Sequence, residues 1–281
     1  MADPEPAQPR RRSLWDLVAG GVDALWRAPQ RALEIAGEHF LLLAQVVGWG
    51  IRPPYRLRVL VEAMEFVGFG SLTIVALVSL FVGMVFSLQS VSAFRTFGAE
   101  AYVSGTVAIA LTRELAPVFT SIVIAARAGA GMATELGSMR ITEQIDAMST
   151  LAVNPVQYLV TPRVVASTVM TPLLTMLFNV VGMLGAFLVA VPLQGVDRGL
   201  FVENARWLLD GNDIMQGLVK SAFFGLDLSL ICCYQGFYAK GGAKGVGIAT
   251  TRAVVGSFVS ILVLDYFLTD IWLTAFRKSR I

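Results

Sequence analysis

The chain contains little that could carry out chemistry. Its 281 residues include one histidine, His39, and two cysteines, Cys232 and Cys233. His39 lies in an amphipathic stretch, and neither a Ser–His–Asp relay nor a histidine metal site can be assembled around it. The two cysteines are adjacent inside an apolar run. They have no metal-ligand spacing and are read as small packing residues. Charge is also scarce: 15% of residues are charged, against roughly 25% in soluble domains. The formal net charge of +2 is too small to suggest nucleic acid, and the basic residues sit in short clusters between apolar runs. The glycine-rich segment from Lys240 to Gly245 lacks the GxxxxGK spacing followed by Ser or Thr, and no strand precedes it. It reads as a membrane-proximal basic loop, so neither ATP hydrolysis nor a cofactor is expected of this chain.

What the chain does have is apolar length. The hydrophobic fraction is 56% and the mean hydropathy +0.68. A helix needs about 20 apolar residues to cross a bilayer, and five runs qualify: Ser71–Phe94, Ala101–Ala126, Val164–Leu193, Ile214–Tyr238 and Ala253–Phe276. The fold expected is therefore an all-α membrane protein with a transmembrane domain over residues 70–276. Ahead of it, residues 1–12 are rich in Pro and Arg and read as disordered. Residues 13–69 read as interfacial and elbow helices, with Trp15 and Trp26 as anchors and Pro53-Pro54 as a break. Asp16 and Asp23 interrupt any leader-like apolar region, so a cleaved signal is not expected.

Basic residues concentrate in the N-terminal region and in the loops Arg127–Arg163 and Lys240–Arg252. Five crossings place all three on one side, read as cytoplasmic. Arg277, Lys278 and Arg280 then fall on the other side, against that rule.

Charges inside the runs are few: Arg113 and Glu114 in the second, Lys220 and Asp227 in the fourth, Asp265 and Asp270 in the fifth. Charge at membrane depth is costly, and it marks either a functional cavity or a packing ion pair. Arg113 and Glu114 fit both readings, with Lys220, Asp227 or Asp265 as candidate partners. In the loop after the second run, Ile141, Ile145, Met148 and Leu151 share one face of a short helix over residues 141–151. Glu143, Gln144 and Asp146 occupy the rest. Such a helix either docks on a soluble partner or is simply solvated.

Several segments together resemble the MlaE/YrbE family, permease subunits of lipid-transporting ABC systems associated with MCE proteins. They are Leu111-Thr-Arg-Glu-Leu-Ala-Pro117, Ala126-Arg-Ala-Gly-Ala130, Thr142-Glu-Gln-Ile-Asp-Ala147 and Val153-Asn-Pro155, with Pro162-Arg163 and Thr250-Thr-Arg-Ala-Val254. The resemblance runs from about Arg52 to Phe276. It implies a homodimer in the inner membrane, with an interfacial helix before five spans and the N-terminus cytoplasmic. The loop helix would then be a coupling helix, in which Glu143, Gln144, Asp146 and Met148 engage a cytoplasmic ATPase subunit that binds the ATP and Mg. The implied partners also include a periplasmic MCE-domain protein, a small cytoplasmic STAS-type subunit and a phospholipid cargo. Arg113 and Glu114 match the family's charged pair near the lipid cavity. Val82, Val85, Phe86 and Gln89 are assigned to the cavity wall from their position on the first span. This chain has a longer N-terminal extension than compact family members. A different class stays open: a stand-alone transporter or channel using Lys220, Asp227 and Asp265 as an ion relay.

Overall fold

The computed structural model describes Glu34 and residues 37–53 and 56–276. The expected disordered segment 1–12, most of the interfacial stretch and the basic residues after Phe276 lie outside the described residues. The chain divides into two units, Met1–Ala44 and Gln45–Ile281. What is described of the first is helical. Among the described residues there is no strand.

We number the helices in chain order. Residues 37–50 form α1. The five long helices are α2 (Leu57–Arg95), α3 (Glu100–Ile141), α5 (Val156–Ala190), α7 (Gly211–Phe237) and α8 (Gly242–Phe276), and each is long and apolar enough to cross a membrane. Two short helices connect them: α4 (Gln144–Thr150) and α6 (Arg198–Leu208). Because they cap opposite ends of α5, α4 and α6 mark the two ends of the bundle.

Several helices outrun the apolar runs that announce them. At 42 residues, α3 is about 63 Å long, roughly twice the hydrocarbon thickness. It carries on through the polar, small-residue segment after Ala126 that reads in sequence as a connection. From Arg127 to Ile141 there is no proline to end the helix; the first proline of the connection is Pro155. Likewise α2 begins at Leu57, and the elbow and first span form one rod.

The rods pack through small residues. The buried positions of α2 include Ser71, Val75, Ser79, Gly83 and Ser87, a stripe at four-residue spacing. It meets α5, where the Ser87 hydroxyl donates to the Ala186 carbonyl at 3.0 Å. A Cβ on Gly83 would run into the Gly182 carbonyl, so this crossing requires glycine. Close approach of this kind replaces the hydrophobic drive that lipid does not supply between helices. Around α7, the neighbours are α5, α8 and both halves of α3. The opposite faces of α2 and α8 expose Leu77, Phe81, Val85, Val259, Leu262 and Phe267, as surfaces in contact with lipid or another membrane protein do.

Candidate functional site

The polar centre of the bundle begins at a flaw in α3. Pro117 has no N–H, and in a regular helix its ring would collide with the carbonyl of residue 113. The turn Leu111–Leu115 is accordingly widened to π geometry, with the Ala116 N–H bonded to the Leu111 carbonyl. Widened turns of this type often occur at functional positions. Arg113 and Glu114 lie within it.

Lys220 approaches from α7 and is 1% exposed. Its ammonium lies 2.5 Å from Glu114 Oε2 and 2.6 Å from Asp265 Oδ1 on α8. It also donates to Thr269 Oγ1 at 2.9 Å and to the Arg113 carbonyl at 3.2 Å. Arg113 turns the other way, its Nε and Nη2 reaching Asp213 Oδ1 at 2.9 and 2.5 Å. The other oxygen of Asp213 accepts from the Asp210 N–H at 3.1 Å, within the capping box that starts α7. One carboxylate thus both caps a helix and anchors a guanidinium. The close passage of α3 and α7 depends on Gly217, whose missing Cβ would meet the Thr112 carbonyl.

Of the candidate partners for Arg113 and Glu114, Lys220 and Asp265 join them. Asp213 completes the set and was not among the sequence candidates, because it sits at the polar edge of a span and there looks like a loop residue. Asp227 lies about 10 Å further along α7. Formally the cluster has three carboxylates and two cations. It is also open on one side: the Glu114 and Asp265 side chains are 39% and 22% exposed.

At the α4 end, α3 stops at Ile141, and the chain reverses through Glu143, which holds a left-handed conformation with φ 62°. Non-glycine residues adopt that region rarely and at a cost. Ile145 is 2% exposed and seats α4 on the bundle. Arg140 Nη1 holds Asp146 at 2.6 Å. Glu143, Gln144 and Asp146 face outward, Met148 is half-buried, and Leu151 is exposed. Beside α4, Arg163 at the start of α5 pairs with Glu135 of α3 at 2.7 Å. Glu114 and α4 are therefore joined by a single helix, about 40 Å along α3.

A third feature is a groove of about 770 Å³ bordered by α3, α5, α6 and the start of α7. Its walls include Leu111, Met183, Phe187 and Val202. Val82, Val85, Phe86 and Gln89 do not line it. They lie along α2, with Val85 and Gln89 exposed and Val82 and Phe86 half-buried.

The family model for Permease MlaE matches residues 60–271. A probable ABC transporter permease protein of Rickettsia felis is 41% identical over 79% of this chain and 86% of its own. The intermembrane phospholipid transport system permease protein MlaE of Haemophilus influenzae is 36% identical over 86% of this chain and 92% of its own. The chloroplastic protein TRIGALACTOSYLDIACYLGLYCEROL 1 of Arabidopsis thaliana is 39% identical over 82% of this chain and 66% of its own.

Proposed function

Because this chain belongs to the MlaE permease family, we propose that it is the inner-membrane permease subunit of an ABC transporter that moves phospholipid between the inner membrane and the outer envelope. It works as a homodimer around a shared lipid cavity and is driven by a separate cytoplasmic ATPase. Two relatives carry ABC permease or phospholipid transport in their names, and the chain's own geometry adds one supporting observation. Glu114 and Asp265 leave part of their carboxylates uncovered on spanning helices. Lipid does not tolerate such a surface, whereas a water-filled cavity or a second copy does. The homodimer reading satisfies that requirement.

In this mechanism ATP and Mg are bound by the ATPase, and this chain supplies the path and the lever. The outward face of α4, with Glu143, Gln144 and Asp146, engages the ATPase, and Ile145 keeps α4 attached to the bundle. Closure of the ATPase pair pushes on α4, and α3 carries the displacement to the widened turn at Arg113 and Glu114. The cavity then narrows and expels its lipid. Val82, Val85, Phe86 and Gln89 on α2 are the proposed acyl-chain wall. Arg113 meets the headgroup through Nη1, the nitrogen outside its pair with Asp213. An MCE-domain protein receives the lipid on the periplasmic side, a STAS-type subunit accompanies the ATPase, and the N-terminus is cytoplasmic.

Gentle purification of the tagged chain from membranes tests this directly. Co-recovery of an ATPase subunit, an MCE protein and phospholipid is the expected result. Recovery of the chain without an ATPase in several mild detergents would favour an ion-coupled transporter built on Lys220, Asp227 and Asp265. In the reconstituted complex, Arg113→Ala is expected to slow lipid transfer, and unchanged transfer would remove the headgroup role.

A further inference from the structure

We propose that the groove between α3, α5 and α6 is a second lipid site, on the flank of the chain, which holds acyl chain of an anionic phospholipid with the phosphate on Arg206. The groove adjoins the charged cluster at Thr112 and Ile214, but Arg206 is no member of that cluster, and the proposal does not rest on the transport reading.

Three observations carry it. First, the groove is apolar along most of its length. Between Met176 and Phe187 it follows about 16 Å of α5, and Met183, Leu184 and Phe187 form its wall there.

Second, the mouth carries an unused cation. Arg206 lines the groove from α6, is exposed, and among the described residues makes no hydrogen bond or ion pair. Arg113, Arg95 and Arg163 are engaged with Asp213, Glu100 and Glu135; Arg206 shares its freedom with Arg198 and Arg252, but of these three it is the one that lines the groove. Arg206 and Val202 also border an adjoining depression shared with Arg198 and Trp207. A guanidinium with free donors matches a phosphate.

Third, α6 sits at the level where a headgroup would be. It links the end of α5 to the start of α7, where both spans leave the apolar layer. Trp207 is 75% exposed beside Arg206, and exposed Trp with Arg at the end of a span marks the membrane–water boundary. The apolar side of α6 closes the groove: Phe201 packs edge-on against Phe187 at 5.6 Å between ring centres, and Leu208 covers Gly105.

Besides Arg206, two polar side chains face the groove. Thr112 is occupied, its hydroxyl donating to the Ala108 carbonyl at 2.7 Å. Asn179, near the inner end, has its Oδ1 shielded from solvent without a hydrogen-bond partner. It lies at the chain-terminus end of the proposed lipid, so it separates an acyl occupant from a polar one.

The test uses the full chain in phosphatidylcholine nanodiscs doped with phosphatidylglycerol bearing a diazirine at the end of one acyl chain. Photolabelled peptides are mapped by mass spectrometry. Label is expected on the α5 segment from Met176 to Phe187. Arg206→Glu is expected to reduce it about tenfold, the scale of one charge-assisted hydrogen bond, and Arg206→Lys to restore most of it. Ala205→Trp, which fills the groove, should remove the label, and Asn179→Leu should keep it. Equal labelling in Arg206→Glu, or label spread evenly over the exposed faces of α2 and α8, overturns the proposal. Loss of label in Asn179→Leu would mean a polar ligand and also overturns it. So would a photocrosslinker at Val202 that captures a transmembrane helix of another subunit while lipid label is absent. The readout is occupancy, so a chain inactive in transport gives the same answer.

Discussion

Lys220 on α7 donates to the main-chain carbonyl of Arg113 on α3 at 3.2 Å, the carbonyl for which Pro117, four residues on, has no N–H to offer. A proline that weakens one helix thus creates the acceptor that a second helix uses. The same ammonium then collects Glu114 and Asp265, so one side chain ties α3, α7 and α8 together.

Removing that ammonium alone should be severe. Lys220→Met strands two carboxylates against each other at membrane depth, and breaking a buried pair in this way costs about 3–5 kcal/mol. A marked fall in the thermal unfolding midpoint in detergent is expected. Adding Glu114→Gln and Asp265→Asn should recover most of the loss without recovering lipid transfer. A single variant that melts like the parent would show that Lys220 does not hold the three helices.

Arg113 and Asp213 should be coupled energetically although they stand 100 residues apart in the chain. A double-mutant cycle with Arg113→Ala and Asp213→Asn is expected to give an interaction of about 0.5–3 kcal/mol, the range for residues in direct contact. Arg113→Lys should behave more like a loss than a conservative change, because an ammonium cannot present both Nε and Nη2 to one carboxylate. Strict additivity in unfolding free energy would contradict the pair.

The α2–α5 crossing should reject even one methyl group. Gly83→Ala is expected to destabilise by about 1–3 kcal/mol, as overpacking does, because the new Cβ meets the Gly182 carbonyl, which is main chain and cannot swing aside. Gly247→Ala in α8 meets nothing within 4 Å and serves as the control, neutral or slightly stabilising. Similar melting shifts for the two would mean the helices are not in close contact at Gly83.

At the α4 end, association and stability should separate. Glu143→Ala and Asp146→Ala change exposed groups, and losing the Arg140–Asp146 pair costs at most about 1 kcal/mol. Pull-down of the ATPase subunit should nevertheless weaken. Ile145→Asp should do both, because it unseats α4 from the bundle. Intact association in the two surface variants would end the coupling role.

Much of this architecture is legible in one dimension. Backbone polar groups in lipid must be satisfied within the segment, so long uncharged runs have to be helices, and hydropathy alone locates five of them. Helix ends are less legible. Apolar composition reports the layer a helix crosses, and helix formation continues into polar sequence until a breaker arrives, as it does in α3 beyond Ala126. The cluster was half legible. Lys220 and Asp265 stand out because charge is rare inside apolar runs, whereas Asp213 sits at a boundary where charge is common. The Arg206 groove left no signal, since a free arginine on a short amphipathic helix looks like any interfacial residue.

The sequence by itself determined an all-helical membrane chain, its five crossings, the proline-weakened turn at Arg113 and Glu114, and the family to which it belongs. Each of these depends on composition or on neighbours within a few turns. Tertiary structure alone decided which charges meet, which glycines touch main chain, and that the Glu114 and Asp265 carboxylates stay partly uncovered. Those properties depend on the rotation of each helix about its axis and on its depth beside its neighbours. Both are set by interlocking surfaces a hundred residues apart, which no local pattern encodes.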